Sequence, residues 1–132
     1  LEETLVIIKP DGVKRGLVGE IINRYERKGL KIKNCKLINA DRETLRKHYV
    51  EHEGKDYFRK LIQYMQEGPI IVMVLEGNEA IKLVRNINGN KDFTKAIPGT
   101  IRGDFASSIT KNIVHGSDSV ESAKREINVW FN

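Results

Sequence analysis

Thr4-Leu5-Val6-Ile7-Ile8 decides the fold. It is a β-branched run in which only Thr4 carries a polar atom. A strand with one wet face would alternate apolar and polar residues, so an unbroken run reads as a strand buried on both faces. Ile70-Ile71-Val72-Met73-Val74-Leu75 repeats the pattern, and the two together make the centre of a small sheet. Between and beyond them the periodicity changes. Pro10-Asp11-Gly12 breaks the first strand, and Leu17, Val18, Ile21, Ile22 and Tyr25 recur at helical spacing until Gly29. Residues 31–39 read as a strand of imperfect alternation, which predicts a bulge. Asp41 is placed to cap a helix running through His52 and closed by Gly54. Tyr57, Phe58, Leu61, Ile62 and Met65 form an amphipathic stripe stopped by Gly68-Pro69, and Ala80, Ile81, Leu83 and Val84 mark another helix. Residues 88–100 are a long loop of the kind that carries function. A strand at 112–115 and a helix from Ser119 to about Phe131 complete the chain, with Asp118 and Glu121 spaced as a capping box.

The order strand, helix, strand, helices, strand, helix, strand, helix predicts an α+β fold. It is the ferredoxin-like split βαβ arrangement, a four-stranded antiparallel sheet covered by helices with the two apolar strands side by side. A doubly wound sheet fits less well, because the second strand is only partly apolar. No linker, repeat or low-complexity segment divides the chain, so residues 1–132 read as a single domain.

Composition narrows the partners. Apolar residues make up 39 % and charged residues 31 %, a globular profile with no apolar run long enough for a membrane helix and no secretory leader. The single cysteine, Cys35, cannot form an internal disulfide and reads as a buried or half-buried strand residue. A cytoplasmic protein is the expectation. The net charge of +5 points to an anionic partner, either phosphate-bearing metabolites or nucleic acid. Because the basic residues are spread along the chain rather than massed in a stripe, nucleic acid is at most a secondary partner.

The chemistry centres on His115. Asn112-Ile113-Val114-His115 delivers one imidazole at the end of a strand, and Gly116-Ser117-Asp118-Ser119 follows as a turn into the last helix. Such a histidine is rigidly held yet exposed, as a nucleophile or proton shuttle must be. On the last helix Val120, Ala123, Ile127, Trp130 and Phe131 define the apolar face, with Glu126 at its margin. From there Glu126 can reach back to orient the imidazole, although spacing alone favours a surface carboxylate paired with Lys124 or Arg125. Arg102 follows the long loop, and Arg85 and Lys91 could converge with it on one anion, the guanidinium being suited to bidentate phosphate binding. Lys9, at the end of a doubly buried strand, points to whatever lies above the sheet. His48 and His52, four apart on a helix, have a spacing that could share a metal, but no third ligand supports it and they read as surface residues. Tyr49 and Tyr57 read as core aromatics. Neither GxGxxG nor GxxxxGK[ST] occurs, so any nucleotide must be held without those phosphate-cradling loops.

Three segments together change the reading. Lys9-Pro10-Asp11-Gly12-Val13, Pro98-Gly99-Thr100-Ile101-Arg102-Gly103-Asp104-Phe105 and Asn112 through Ser119, in this order and spacing, closely resemble the nucleoside diphosphate kinases. The resemblance runs over essentially the whole chain, through Trp130-Phe131. It implies ping-pong transfer of a γ-phosphate, mainly from ATP, to His115 and on to a nucleoside diphosphate. It further implies that Glu126 and Ser117 orient the ring, and that Tyr49 and Lys9 touch the transferring phosphate or the sugar hydroxyl. Arg85 and Arg102 would hold the β and γ phosphates, and Asn112 the ribose. Tyr57 would serve as the base-stacking ring in place of the more usual Phe. Mg²⁺ would arrive on the nucleotide phosphates, with no metal site of the protein's own. The chain departs from the family pattern at Lys91, where many members have Thr, and at Phe93, where many have Pro. The expected assembly is a homo-oligomer, a hexamer in preference to a tetramer. The competing reading is a non-catalytic nucleotide- or nucleic-acid-binding module on the same fold.

Overall fold

The structure, a computed structural model, describes residues 1–132. Four strands, β1 (Glu2–Ile8), β2 (Lys31–Ile38), β3 (Ile70–Gly77) and β4 (Val114–Gly116), form one sheet in the order β2-β3-β1-β4, every neighbouring pair antiparallel. The two apolar strands lie side by side at its centre, with Leu5 opposite Val74 and Ile7 opposite Val72. Seven α-helices surround it: α1 (Pro10–Lys14), α2 (Val18–Arg27), α3 (Arg42–His48), α4 (Phe58–Met65), α5 (Ala80–Asn88), α6 (Ile101–Phe105) and α7 (Val120–Phe131).

The absence of alternation in β1 and β3 has a direct cause, since helices cover both faces. Val6, Ile8, Met73 and Leu75 pack with Ile21 and Tyr25 of α2, Val84 of α5 and Ile101 of α6. Leu5, Ile7, Val72 and Val74 pack on the opposite face with Leu45 of α3, Ile62 and Met65 of α4, and Trp130 of α7. Each such side chain contributes roughly 1.5–3 kcal/mol when fully buried, so the sheet centre is where stability concentrates.

Several local expectations change. The register of β2 does shift between Ile32 and Asn34, as its imperfect alternation predicts. But β2 is the edge strand and nearly all of it is exposed, so Cys35 is an exposed thiol rather than a buried one. Pro10 begins α1 instead of merely breaking β1. It sits at the first helical position, where its missing N–H costs nothing. Asp41 caps α3 by accepting a hydrogen bond from Thr44 N–H, yet α3 stops at His48 and a 3₁₀ turn carries the chain through Val50–His52. A short helix, α6, follows the long loop, capped by the Thr100 hydroxyl. The cap of α7 is Ser119, which accepts from Ser122 N–H, and not Asp118. Finally, β4 starts at Val114 because Ile113 has φ +80° and Val114 N–H bonds Asn112 O in a three-residue turn.

Candidate active site

β4 lies against β1 with His115 opposite Ile7, on the face covered by α3 and α7. Gly116, the next residue, faces the other way. A Cβ there would come within 2.9 Å of Val84 Cγ1 and 3.0 Å of Asn88 Nδ2, so glycine lets α5 close on the strand bearing the histidine. Ser119 starts α7 three residues after Gly116, and two turns along that helix Glu126 comes back to His115.

Glu126 is not a surface carboxylate. It is 5 % exposed, and its Oε1 lies 2.8 Å from His115 Nε2 and accepts a 2.7 Å hydrogen bond from Ser117 Oγ. Ser117 is itself sealed, accepting from Leu5 N–H at 3.2 Å, so the carboxylate is referenced to the backbone of the central strand. A carboxylate can only accept. Nε2 therefore carries the hydrogen, and in the neutral ring Nδ1 holds the lone pair. No hydrogen bond within the chain reaches Nδ1, and the His115 side chain keeps 21 % of its surface. The arrangement is an oriented, accessible imidazole nitrogen backed by a buried acid.

Lys9 leaves β1 beside this ring. Lys9 N–H bonds Ile113 O at 2.8 Å, and Lys9 Nζ donates to Asn112 Oδ1 at 2.8 Å. Burial, and then the Arg102 guanidinium, lower the Lys9 ammonium from 10.5 to about 8, Asp11 working the other way. Asp11 is held by the Tyr64 hydroxyl. Asn112 also donates from Nδ2 to Ile109 O at 3.1 Å, so both ends of its amide have partners within the chain.

Arg102 is stapled to the backbone. Its Nε donates to Asn112 O (3.3 Å), Nη1 to Gly89 O (2.8 Å) and Nη2 to Val114 O (2.6 Å). Three of five N–H donors thus tie the long loop to the start of β4, leaving two for a ligand. Arg85 lies in electrostatic reach of both Arg102 and Asp118 and lines a cleft of about 400 Å³ with Lys82, Asn86, Asp118 and Ser119. Tyr49 is buried, and desolvation followed by the Glu126 carboxylate raises its phenol above the ordinary value. Tyr57 departs from the core reading: it is 46 % exposed at the N-cap of α4, its hydroxyl 2.7 Å from His52 Nδ1. Lys91 is exposed in the loop, with no hydrogen bond or ion pair to hold it.

His48 is a buried residue and not the surface histidine its sequence suggests. It is 3 % exposed, accepts at Nδ1 from Trp130 Nε1–H (3.1 Å), and lies edge-on to His115 with ring centroids 4.7 Å apart. Burial above all, then the neighbouring His115 imidazole and the cations Arg125 and Lys9, hold it well below 6.5 and therefore neutral. The signal was present, because Leu45, His48 and Tyr49 follow i, i+3, i+4 on one helix face. His48, His115 and Glu126 offer ligand-type atoms within 4.8 Å of one another. Yet His48 Nδ1, His115 Nε2 and Glu126 Oε1 are committed to hydrogen bonds, and Arg125 Nη2 stands 3.7 Å from Glu126 Oε2. With Lys9 and Arg102 added, the site is built for an anion rather than a bare cation.

The chain is similar to known proteins over nearly its whole length. The family model described as nucleoside diphosphate kinase matches residues 2–132. The nucleoside diphosphate kinase of Caldanaerobacter subterraneus subsp. tengcongensis is 63 % identical over 131 residues, covering 99 % of this chain and 94 % of that protein. A nucleoside diphosphate kinase family protein from Babesia bovis has a crystal structure that superposes with a TM-score of 0.97 at 44 % identity, over 100 % of this chain and 89 % of that one. A halophilic nucleoside diphosphate kinase from Halobacterium salinarum, solved in complex with CDP, gives 0.96 at 44 % identity over 99 % and 88 %.

Proposed function

The chain belongs to the nucleoside diphosphate kinase family, and from that membership and the geometry around Glu126 we propose that His115 Nδ1 is the atom that carries phosphate between nucleotides. It is a phosphotransferase that acts on nucleotides and, as a kinase, needs a divalent metal. The family match does not favour a purely binding role.

In the first half-reaction the Nδ1 lone pair attacks the γ-phosphorus of a nucleoside triphosphate. The bond from phosphorus to the bridging oxygen breaks, and the nucleoside diphosphate leaves with that electron pair. The ring becomes cationic as the N–P bond forms, and Glu126, held by Ser117, stabilises that charge through Nε2–H. In the second half a terminal oxygen of another nucleoside diphosphate attacks the same phosphorus and returns His115 to its starting state. The transferred group spreads negative charge over its oxygens, so the protein's task is position and positive charge. Lys9 and the Tyr49 hydroxyl supply it near the ring. Arg85, the two free N–H groups of Arg102 and the unpaired Lys91 supply it toward the β and γ phosphates. Asn112 holds Lys9 and meets the sugar. Tyr57 offers an exposed ring to the base, and a stacking contact with few edge hydrogen bonds tolerates any base.

The metal is Mg²⁺ brought in as part of the nucleotide substrate, because the side chains that meet the phosphates are cations and hydrogen-bond donors. The acting unit is one domain spanning residues 1–132 in a cytoplasmic homo-oligomer, a hexamer in preference to a tetramer. Support for assembly comes from the open β2 edge, where Leu37 is 61 % exposed and Ile32 37 %. No helix is long and apolar enough to cross a membrane. Incubation with γ-labelled ATP and Mg²⁺ will give an acid-labile, base-stable phosphoenzyme that GDP discharges as GTP. Absence of label, or equal labelling of His115→Ala, overturns the assignment. Native mass measurement tests the assembly.

A further inference from the structure

Tyr57 stands where the chain reverses from the 3₁₀ turn into α4, and its hydroxyl lies 2.7 Å from the Nδ1 of His52, the last residue of that turn. The two rings meet edge-on at 5.4 Å and 61°. His52 is half-buried and fixed on both sides of its backbone. Its N–H bonds Tyr49 O at 2.8 Å and its carbonyl accepts from Lys55 N–H at 3.0 Å. On its other flank lies the ring of Tyr49, 6.1 Å away.

We propose that His52 is a positioning residue for nucleotide binding, one that holds the Tyr57 ring in the orientation a base stacks on. This rests on the reading of Tyr57 as the stacking ring. The hydroxyl oxygen lies on the axis about which the ring turns, so the bond there restrains the swing of the ring about Cα–Cβ, and the edge-on contact with the His52 ring resists rotation of the ring plane. An otherwise exposed ring is then ordered before the base arrives, and less freedom is lost on binding. The contact is edge-on rather than stacked, and Tyr57 keeps 46 % of its surface, so ring area remains for the base. The bond also survives a change of protonation. With neutral His52 the phenol donates to Nδ1, and with the imidazolium Nδ1–H donates to the phenol oxygen. A phenylalanine at position 57 has no such handle, so the His52–Tyr57 pair gives the tyrosine a use beyond its ring.

The test uses the full-length protein, with ADP affinity by titration calorimetry and the phosphoenzyme formation rate at saturating ATP. Tyr57→Ala examines the platform, and Tyr57→Phe and His52→Ala examine the bond. The expected result is that His52→Ala and Tyr57→Phe each weaken ADP about three- to tenfold. The double variant should be no worse than either single change, His52→Asn should recover part of the loss, and His52→Ala should keep the saturated phosphorylation rate. If Tyr57→Ala weakens ADP while the two bond variants do nothing, or if their effects add in the double variant, the positioning role is wrong and the platform stands. If Tyr57→Ala itself leaves ADP binding unchanged, the stacking platform is wrong and the role of His52 falls with it.

Discussion

Lys9 Nζ and Asn112 Oδ1, 103 positions apart in sequence, are joined by a 2.8 Å hydrogen bond that brings the end of β1 to the turn before β4. The amine is buried and titrates at about 8 instead of 10.5. In the free protein its charge is lost as pH rises through 8, so kcat/KM for nucleotide will fall on an alkaline limb near that value, to be read from a pH-rate profile. Stability follows from the same shift. Between pH 8 and 10.5 the unfolded chain binds more protons at this group than the folded one, so the Lys9 contribution becomes more favourable as pH rises and is least favourable below 8. Lys9→Met will therefore gain stability at pH 7, on the order of 1–3 kcal/mol after the loss to Asn112, while activity falls about 100-fold or more. The gain will shrink toward pH 10 in urea melts.

Glu126→Gln tests the ring orientation. An amide can turn its NH₂ toward Nε2, which then accepts, and the ring hydrogen moves to Nδ1, where it blocks attack. Phosphorylation of His115 at saturating ATP will drop on the order of 100-fold in a rapid-quench assay with the fold intact. The His115 ¹⁵N shifts will report a change of tautomer, and unchanged shifts with an unchanged rate would remove Glu126 from the mechanism.

His48 and Trp130 give an acid-side prediction. Because His48 is held well below 6.5 in the folded protein, the unfolded chain takes up a proton here first as pH falls. The contribution of the neutral ring is whole above 6.5 and is lost progressively below it. His48→Gln keeps an acceptor for Trp130 Nε1–H and removes the titration, so its urea midpoint will depend less on pH between 6.5 and 5 than that of the wild type. Trp130→Phe, which deletes the donor to Nδ1, will cost about 1–2 kcal/mol.

Legibility divides along physical lines. β1 and β3 could be read because burial on both faces leaves no room for polar residues, and their adjacency followed from having two such strands. The edge placement that exposes Cys35 is a property of the sheet and has no local mark. His48 was misread because a histidine on an apolar stripe counts as polar by composition, while Trp130, its partner, lies 82 residues away. Glu126 at the stripe margin was ambiguous for the same reason: spacing gives its direction on α7 but not what waits there. Ile113 was wholly illegible, since a β-branched residue at φ +80° contradicts its own preference and persists only because the packed turn between Asn112 and Val114 demands it.

Gly103→Ala tests the support of Arg102. A Cβ at Gly103 would stand 2.0 Å from Ile97 O and 2.8 Å from Thr100 Oγ1, the atom that caps α6. Neither is the loose end of a flexible side chain, so the turn into α6 must open. The expected cost is about 2–4 kcal/mol in chemical denaturation, with nucleotide affinity falling as Arg102 loses its hold on Gly89 O and Val114 O.

Lys91 stands in the loop that the proposed function turns toward the phosphates, and its exposed ammonium has no partner in the chain. A free charge acts on a bound phosphate mainly through screened attraction, worth roughly what an exposed ion pair is worth. Lys91→Ala will therefore raise KM for nucleotide about two- to fivefold at low salt with kcat little changed, and the difference will fade toward 1 M salt, where the screening length is about 3 Å. Lys91→Thr separates charge from hydrogen bonding. If it binds nucleotide more tightly than Lys91→Ala at high salt, a hydroxyl contact is available at this position, and if it behaves as Ala under all conditions, the lysine serves through its charge alone. A KM for Lys91→Ala that equals wild type at every ionic strength would take Lys91 out of the phosphate site.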